Sequence, residues 1–415
     1  MRSRQAISVG ALDGRAAIDA DGLVVAPGFI DLHSHGQDTE NYKVQARDGV
    51  TTALELEVGT GDIDRWYAQR EGASPINFGA SIGHIPVRNK VMHDPSDFLP
   101  VGDAADRPAS ETEIEEMKRQ IERGLERGAL AVGFGLQYTP AASRWEVLEL
   151  FRVAASYGAS CHVHMRGMGH KEPLNSIEGL AEVIGAASIT GAPLHVVHIQ
   201  SSGMRATPRL LQMIEEAQSH GMDVTTECYP YTAGMTGIES AMFHEGWQDK
   251  LGIGYEDLEW AETGERLTAR SFAQYRETGG MVILHMIPED AVQTAVTSPL
   301  TMIATDGHLR KGKGHPRTAG TYSRVLGRFV REAGSLLPQI ALAGVVQRMA
   351  RRKWAWVWGS VGQGVAAGLI ALAALSLEGG TAGYAVCAAL ALLAVCRAAC
   401  SVSFKEILGK TVGKT

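Results

Sequence analysis

The sequence predicts an α/β fold in which eight parallel strands close into a (β/α)8 TIM barrel. From about residue 22 to residue 335, short apolar and partly β-branched runs alternate with helical patterns. Such alternation is typical of a parallel sheet with right-handed crossovers, and about eight repeats favour a barrel over the alternative, a doubly wound open sheet. The predicted barrel strands are 28–33, 51–58, 77–84, 129–134, 159–164, 194–199, 222–228 and 301–305.

Amphipathic helices are predicted between several of these strands. Residues 111–128 carry apolar side chains at three- and four-residue spacing, with Ser110 as the N-cap. The stretches "SRWEVLELFRVAASYG", "SIEGLAEVIGAASITG" and "TPRLLQMIEEAQSHG" have the same pattern and end near glycine. A ninth apolar run, 281–285, is one more than a barrel needs. We therefore expect an insertion near 232–295, before the last barrel strand.

The two ends of the chain differ from this barrel region, which we place at residues 26–335. Residues 1–25 indicate a remnant of a small β-module. Residues 336–415 form an atypical tail, in which a basic, Trp-rich segment precedes apolar stretches at 361–377 and 383–404. That order is typical of a two-helix membrane hairpin. The alternatives are a buried helical hairpin and a tail that is not the natural end of this fold.

Composition narrows the class of protein. A net charge of −7 and a pI near 6.1 give no reason to expect a nucleic-acid partner. The five cysteines have no disulfide or zinc-ribbon spacing, and "MRSRQAISVG" lacks the apolar run of a signal peptide. We expect a cytoplasmic protein, membrane-associated through residues 355–404 if the hairpin inserts. The oligomeric state is left open.

Polar residues of the metal-ligand type end several predicted strands. In a barrel, the carboxyl ends of the strands face the active site. His33 and His35 end the first strand and, two residues apart, point the same way. "CHVHMR" ends near His164, "PLHVVHIQ" near His198 and "TMIATDG" near Asp306. These side chains are expected to meet at one mouth of the barrel.

The run "TTALELEVG" adds Glu55 and Glu57, whose burial in an apolar strand demands a cation or guanidinium nearby. The joint nitrogen and oxygen set suits one or two Zn²⁺ or a similar divalent ion. Such an ion activates water, and an adjacent carboxylate can pass the proton to a leaving nitrogen. Asp306 is our candidate shuttle, with a helix N-cap as the alternative role. The predicted chemistry is hydrolysis of an amide-type C–N bond.

Basic and aromatic residues near the same strand ends suggest the kind of substrate. Arg88, Arg166 and Arg317 indicate an anionic substrate, although each is equally compatible with a structural ion pair. Tyr138 and Tyr229 are candidates for lining the pocket, with turn packing as the alternative. The glycine turns "GTGDI" and "GFGLQ" lack the context of a nucleotide-binding motif, so we exclude nucleotide binding.

Seven segments together resemble the amidohydrolase superfamily, in its N-acyl-D-amino-acid deacylase branch (D-aminoacylases and N-acyl-D-glutamate deacylases). They are "VVAPGFIDLHSHGQD", "RDGVTTALELEVG", "GALAVGFGLQYTP", "HVHMR", "LHVVHIQSSG", "ECYPYTAG" and "TDG…HPRTAGTYSRVLGRFVRE". The likeness runs in order over about residues 20–335. It implies a metal-dependent barrel that hydrolyses a small anionic substrate, an N-acyl-D-amino acid.

The resemblance also implies roles for individual residues. His33 and His35 match the family's His-x-His pair, His164 and His198 match its two later histidine ligands, and Asp306 matches its catalytic aspartate.

At one position the chain departs from the family. D-aminoacylases have a cysteine ligand after the "GVTT" strand, where this chain has Val58, with Glu57 beside it. Glu57 is the expected substitute ligand and Glu55 the reserve. The number of metal ions and the bridging group stay open.

Two further departures keep alternative functions open. The family's β-sandwich is represented only by "AAIDADGLVVAPG", and the apolar tail replaces its return segment. A truncated, non-catalytic barrel tethered to a membrane is therefore one alternative. A cyclic-amide hydrolase of the hydantoinase or dihydroorotase type is another, but that type often uses a carboxylated lysine, and no predicted strand ends in lysine.

Overall fold

The computed structural model describes residues 26–96, 98–169, 171, 174–328, 353–377 and 379–412. The predicted β-module remnant, residues 1–25, lies outside the described residues. So does 329–352, between the barrel and the apolar tail.

Eight parallel strands form the central sheet, in the order β1-β2-β3-β4-β5-β6-β7-β11, and each overlaps one of the eight predicted runs. This confirms the predicted (β/α)8 class. The strands of the chain are β1 (Phe29–Asp31), β2 (Val50–Thr60), β3 (Asn77–Gly83), β4 (Val132–Gly135), β5 (Cys161–His164), β6 (Leu194–Val196), β7 (Val224–Cys228), β8 (Gly234–Gly237), β9 (Leu258–Trp260), β10 (Met281–Leu284), β11 (Thr301–Ile303), β12 (Leu309–Arg310) and β13 (Lys313–Gly314).

The barrel closes between β1 and β11 just beyond their carboxyl ends. The backbone N–H of Asp306 donates to the carbonyl of His33 at 2.7 Å. The preceding residue, Thr305, donates from its backbone nitrogen and from Oγ1 to the Asp31 carboxyl group, at 2.9 and 2.6 Å. Closure therefore brings the first and last strand ends, with His33 and Asp306, into direct contact.

Helices surround the barrel, as the alternating pattern predicts. The predicted helix at 111–128 is α5, capped by Ser110, whose side chain accepts from the Glu113 backbone while the Glu113 carboxylate accepts in return. The helices are α1 (Thr39–Arg47), α2 (Ile63–Ala68), α3 (His84–Val91), α4 (Asp103–Asp106), α5 (Glu111–Glu126), α6 (Arg144–Ser156), α7 (Ser176–Thr190), α8 (Ile199–Gly203), α9 (Thr207–Ser219), α10 (Trp247–Leu251), α11 (Ala269–Thr278), α12 (Glu289–Thr297), α13 (Lys353–Ser376) and α14 (Gly379–Val412). Residues 321–328 are also helical.

The main core lies between the strands and the helices. Val132, Phe134 and Val163 from the strands pack with Leu150 and Leu180 from the helices, and all five are fully buried. Each such side chain stabilises the fold by roughly 1.5–3 kcal/mol. This layer supplies the rigid support that the strand ends need.

A second, antiparallel sheet lies in the chain between β7 and β11. Its order is β8-β10-β9, and it packs on α10 and α11 around an aromatic cluster that includes Phe243, Trp247 and Phe272. Residues 232–295, predicted as an insertion, contain all three of its strands. Met235 and Thr236 of β8 and Met281 of β10 line one pocket with residues from the barrel strand ends.

Helices α13 and α14 make up the described part of the tail and pack against each other. Residues Trp354–Ser376 form a helix long and apolar enough to cross a membrane, judged by length and composition alone, and Ala385–Cys400 is a shorter apolar segment. Among the described tail residues, the buried positions are Gly359, Ala366, Ala373, Ala389 and Ala398, whereas most of the large apolar side chains are exposed. The described part of the tail is thus a pair of packed helices, and most of its larger apolar side chains face away from the contact between them.

One fully buried ion pair connects α3 to α6. Arg88 Nη1 lies 2.5 Å from Glu146 Oε2, and His84 Nε2 lies 2.7 Å from Glu146 Oε1. Burial raises the pKa of the Glu146 carboxyl group, but His84 and Arg88 outweigh it and hold that pKa below its ordinary value. Glu146 is therefore ionised and neutralises a guanidinium inside the protein.

Replacing Glu146 by Ala is expected to lower the free energy of unfolding by about 3–5 kcal/mol, since it leaves the Arg88 charge buried and unpaired. Urea denaturation of the full chain measures this loss. Glu115→Ala is the matched control, because Glu115 pairs with Lys118 on an exposed helix surface, where the pair contributes under about 1 kcal/mol. Equal losses in the two variants would contradict the assignment.

Candidate metal centre

His33 and His35 face each other at the carboxyl end of β1. Their Nε2 atoms are 3.1 Å apart, with the ring planes at 90°. A carboxylate holds the far nitrogen of each ring. His33 Nδ1 donates to Glu227 Oε1 at 2.6 Å, and His35 Nδ1 donates to Glu55 Oε2 at 2.8 Å. Both Nε2 lone pairs are therefore directed into one small space.

Glu57 from β2 lies beside that space. Its Oε2 is 3.3 Å from His33 Nε2 and 3.2 Å from His35 Nε2, while Oε1 is 3.3 Å from His164 Nδ1. Burial raises the pKa of the Glu57 carboxyl group, but hydrogen bonds from these three imidazoles outweigh it and hold the pKa well below its usual range. The geometry places the Glu57 carboxylate, and not that of Glu55, among these three imidazoles.

Glu55, the reserve candidate, lies behind the ligand cluster. Besides holding His35, it accepts through Oε1 from the backbone N–H groups of Val58 and Gly59, both at 3.2 Å. The pairing register of β2 with β3 shifts between Glu55 and Thr60. This irregularity lets β2 turn its end around the Glu55 carboxylate, and it places Glu55 as a support for His35.

His198 and Asp306 follow the ends of β6 and β11 in left-handed backbone conformations, with φ of 32° and 48°. Residues other than glycine rarely adopt this region, and such strain is concentrated at functional sites. Asp306 Oδ1 lies 3.6 Å from His33 Nε2 and 3.4 Å from His35 Nε2, and Oδ2 lies 4.0 Å from His198 Nε2. The strained residues therefore complete the ring of donors.

The donors form two overlapping groups. One contains His33, His35 and Glu57, the other contains His33, His198 and Asp306, and within each group the ligand atoms lie within 4.8 Å of one another. His164 packs edge-on against His198, with ring centroids 4.4 Å apart. The arrangement brings all six predicted ligands together, with His33 shared.

This donor set fits a divalent cation. The carboxylates of Glu57 and Asp306 face histidine nitrogens inside a buried pocket, and His164 Nε2 is a buried nitrogen without a hydrogen-bond partner among the described atoms. An ion that prefers nitrogen and oxygen ligands, such as Zn²⁺, would satisfy these atoms together.

Three of the five predicted substrate contacts lie in or beside this pocket. Arg317 Nη1 is 3.0 Å from Asp306 Oδ2, and its guanidinium stacks 4.7 Å over the ring of Tyr229. Tyr138 packs edge-on against His164, with ring centroids 5.1 Å apart, and its hydroxyl accepts from Thr236 at 3.0 Å. Thr236 and His308 also line the pocket, together with five apolar side chains, namely Val58, Phe98, Leu99, Met235 and Met281.

The structure does not bring Arg88 and Arg166, the other two predicted substrate contacts, to the lining of this pocket. Arg88 is engaged by Glu146 in the core behind the site. Arg166 pairs with Glu182 at 2.8 Å and donates to the carbonyls of Pro140 and Ala142. Both guanidinium groups therefore bind structural partners. The acceptors belong to helices and loops around the barrel, and the positions of the arginines in the sequence do not reveal them.

Sequence reasoning missed Glu227 and His195. Glu227 lies at the carboxyl end of β7, is 1% exposed and contacts His33. His195 on β6 contacts the other oxygen of Glu227 at 3.1 Å. The rule that barrel strand ends carry functional residues could have identified Glu227 in "TTECYPY".

Comparison with known proteins confirms the resemblance to amidohydrolases. A protein-family model with the description "Amidohydrolase family" matches residues 16–81. A D-aminoacylase of Alcaligenes xylosoxydans xylosoxydans is 28% identical over 389 residues, which span 80% of this chain and 75% of the relative. The N-acyl-D-glutamate deacylase of the same organism is 25% identical over 402 residues, 85% of this chain and 78% of the relative.

A solved structure shares the fold. It is the N-acyl-D-glutamate deacylase of Bordetella bronchiseptica, complexed with zinc and a phosphonate inhibitor that mimics the tetrahedral intermediate. The TM-score is 0.64 at 24% identity, covering 79% of this chain and 74% of that chain.

Metal binding is expected to release protons. Burial favours the neutral form of His33, but the carboxylates of Glu227 and Asp306 outweigh it and raise the pKa of His33 to about 10. The pKa of His35 is also raised, through Glu55 and Asp306. A cation that takes these lone pairs displaces protons, so zinc affinity should rise with pH up to about pH 10. Calorimetry in two buffers of different ionisation enthalpy measures the release. A binding heat that is the same in both buffers would contradict it.

Proposed function

We propose that this chain, which resembles the D-aminoacylase branch of the amidohydrolase superfamily, is a metal-dependent hydrolase that cleaves the amide bond of N-acyl-D-amino acids. The convergence of four histidines and two carboxylates from five barrel strands supports the proposal most directly. The names of the two similar relatives, a D-aminoacylase and an N-acyl-D-glutamate deacylase, supply the substrate class.

One or two Zn²⁺ ions are the proposed cofactor. A bound ion supplies Lewis-acid polarisation of the amide carbonyl and activation of a water molecule. The residues that would hold it are His33, His35, Glu57, His164, His198 and Asp306.

Asp306 is the proposed proton shuttle. Burial raises the pKa of its carboxyl group, but the nearby Arg317 and His33 outweigh it and keep the pKa below its ordinary range, so the group is ionised at neutral pH. Oδ1 faces the ligand cluster and can accept a proton from the attacking water, while Oδ2 is held by Arg317. The same oxygen can then give that proton to the leaving nitrogen.

Arg317 is the proposed contact for the carboxylate of the substrate. The guanidinium is 1% exposed, and its Nε has no hydrogen-bond partner among the described residues. Asp306 engages Nη1 and the Met235 carbonyl accepts from Nη2 at 3.5 Å, which leaves Nε available for a second carboxylate. Tyr229 and Tyr138 support the walls of the pocket. The apolar wall, which includes Phe98 and Met235, would accept the acyl chain or an apolar side chain.

A linear amide is favoured over a cyclic one. None of the described residues that line the pocket is lysine, and the Glu57 carboxylate lies among His33, His35 and His164. A carboxylated lysine bridge of the cyclic-amide type therefore has no candidate in this pocket.

Asp306→Asn is expected to reduce the release of free D-amino acid from a panel of N-acetyl-D-amino acids by about 10²–10⁴-fold. The amide cannot take the proton from water, although it retains an oxygen for the metal. Activity and bound zinc are measured on the same preparation, with and without a chelator.

Asp290→Asn is the control, since Asp290 is exposed on α12. Full activity in Asp306→Asn would refute the shuttle role. No D-amino acid release by the zinc-loaded unmodified chain, on any member of the panel, would refute the proposed function.

We also propose that α13 and α14 attach the protein to a membrane. Their exposed residues include Trp358, Val365, Leu372 and Leu375, the last of them 87% exposed. Small residues lie between the helices, where a Cβ on Gly359 would come within 2.6 Å of Cys400 Sγ. Close packing through small residues with large apolar groups outside is typical of helices in lipid.

Flotation in a density gradient tests this attachment. The full chain is expected to float with membranes, and a chain that ends near residue 335 is expected to stay at the bottom. Flotation separates membrane binding from aggregation, because aggregates do not float. If neither chain floats, the proposed attachment is refuted.

A further inference from the structure

We propose that Glu227 and His195 are a positioning pair that fixes the ring of His33, the residue shared by both ligand groups. The inference rests on the proposed metal centre, because the orientation of His33 matters only if His33 is a ligand.

The contacts run as a chain from the site into the barrel. Glu227 Oε1 accepts from His33 Nδ1 at 2.6 Å, and Glu227 Oε2 lies 3.1 Å from His195 Nε2. His195 Nδ1 lies 2.8 Å from Thr225 Oγ1. Glu227 is 1% exposed and His195 is 2% exposed. Each carboxylate oxygen of Glu227 therefore has one histidine partner, away from solvent.

These contacts determine which nitrogen of each ring carries the proton. An ionised carboxylate only accepts hydrogen bonds, so His33 donates from Nδ1, and Nε2 is the nitrogen that faces the ligand cluster. The same carboxylate can only accept from His195, so His195 donates from Nε2 to Glu227. A carboxylate behind a metal-binding histidine fixes its tautomer and orientation and raises its basicity.

His195 holds the second oxygen of Glu227, as backbone N–H groups hold the second oxygen of Glu55 behind His35. The carboxylate behind His35 belongs to Glu55, and two backbone N–H groups hold its second oxygen. Glu227 has the imidazole of His195 instead. Since β6 pairs with β7 so that His195 is opposite Thr225, His195 lies next to Glu227 along the barrel. Without this donor, one oxygen of a buried carboxylate would lose its partner, at a cost in free energy.

His162 offers a matched control in the same barrel interior. Its ring packs 4.6 Å from that of His195, and its Nε2 contacts Ser160 Oγ at 3.2 Å. It has the same residue type and similar burial on the adjacent strand, but its hydrogen-bond contact is to Ser160 and not to Glu227 or His33.

The experiment measures zinc affinity by competition with a chelator, on the full chain. Glu227→Gln removes the charge behind His33. His195→Gln keeps a side-chain N–H close to the position of Nε2, whereas His195→Asn places its amide near Nδ1 and loses the donor to Glu227. His162→Gln is the control, and thermal unfolding without metal monitors the fold of every variant.

Glu227→Gln is expected to weaken zinc binding by about 10–100-fold, and His195→Asn by about 10-fold. His195→Gln and His162→Gln should stay within about threefold of the unmodified chain, because the contact to Glu227 is kept in the first and was never made in the second. The double variant Glu227→Gln with His195→Asn should bind zinc no more weakly than Glu227→Gln, because both changes break one chain of contacts.

Unchanged zinc affinity in Glu227→Gln would overturn the inference while leaving the metal centre intact. If Glu227→Gln does not fold, the two His195 variants decide, and equal affinity in both would overturn it. An unmodified chain that binds no zinc refutes the proposed metal centre itself, and this inference with it.

Discussion

Burial of ionised carboxylates among histidines is the constraint on which the site depends. Glu57, Glu227 and Asp306 are each nearly or fully removed from water, and a charge in that position must be compensated. Histidines from other strands compensate it, and the donor set leaves room for a divalent cation between them. The positions of the strand ends, the orientation of the rings and the ionisation states therefore depend on one another.

The residues that close the barrel also bring the candidate ligands together. The hydrogen bond from the Asp306 backbone to the His33 carbonyl joins the first strand to the last, and the side chains of the same two residues meet at the site. Strained backbone at His198 and Asp306 is held by the packed layer of strands and helices beneath them. The packed core thus stabilises the backbone conformations of His198 and Asp306 at the mouth of the barrel.

The surroundings of the ligands divide the pocket into two sides. Arg317 is the cationic side, stacked on Tyr229 and paired with Asp306. The antiparallel sheet and the loop after α3 supply an apolar side, with Phe98, Met235 and Met281. A small molecule with a carboxylate near one end of an amide and an apolar group at the other fits this division, in agreement with the proposed deacylase chemistry.

The sequence by itself determined the eight strands and the five candidate ligands outside β2, namely His33, His35, His164, His198 and Asp306, because hydrophobic period and strand-end position are local properties. Only the tertiary structure separated Glu57 from Glu55, since a register shift in β2 decides which carboxylate faces the ligands. It also removed Arg88 from the site and added Glu227, since their partners lie 58 and 194 residues away in the chain. Contacts at such separations are set by the closed barrel, and no local pattern encodes them.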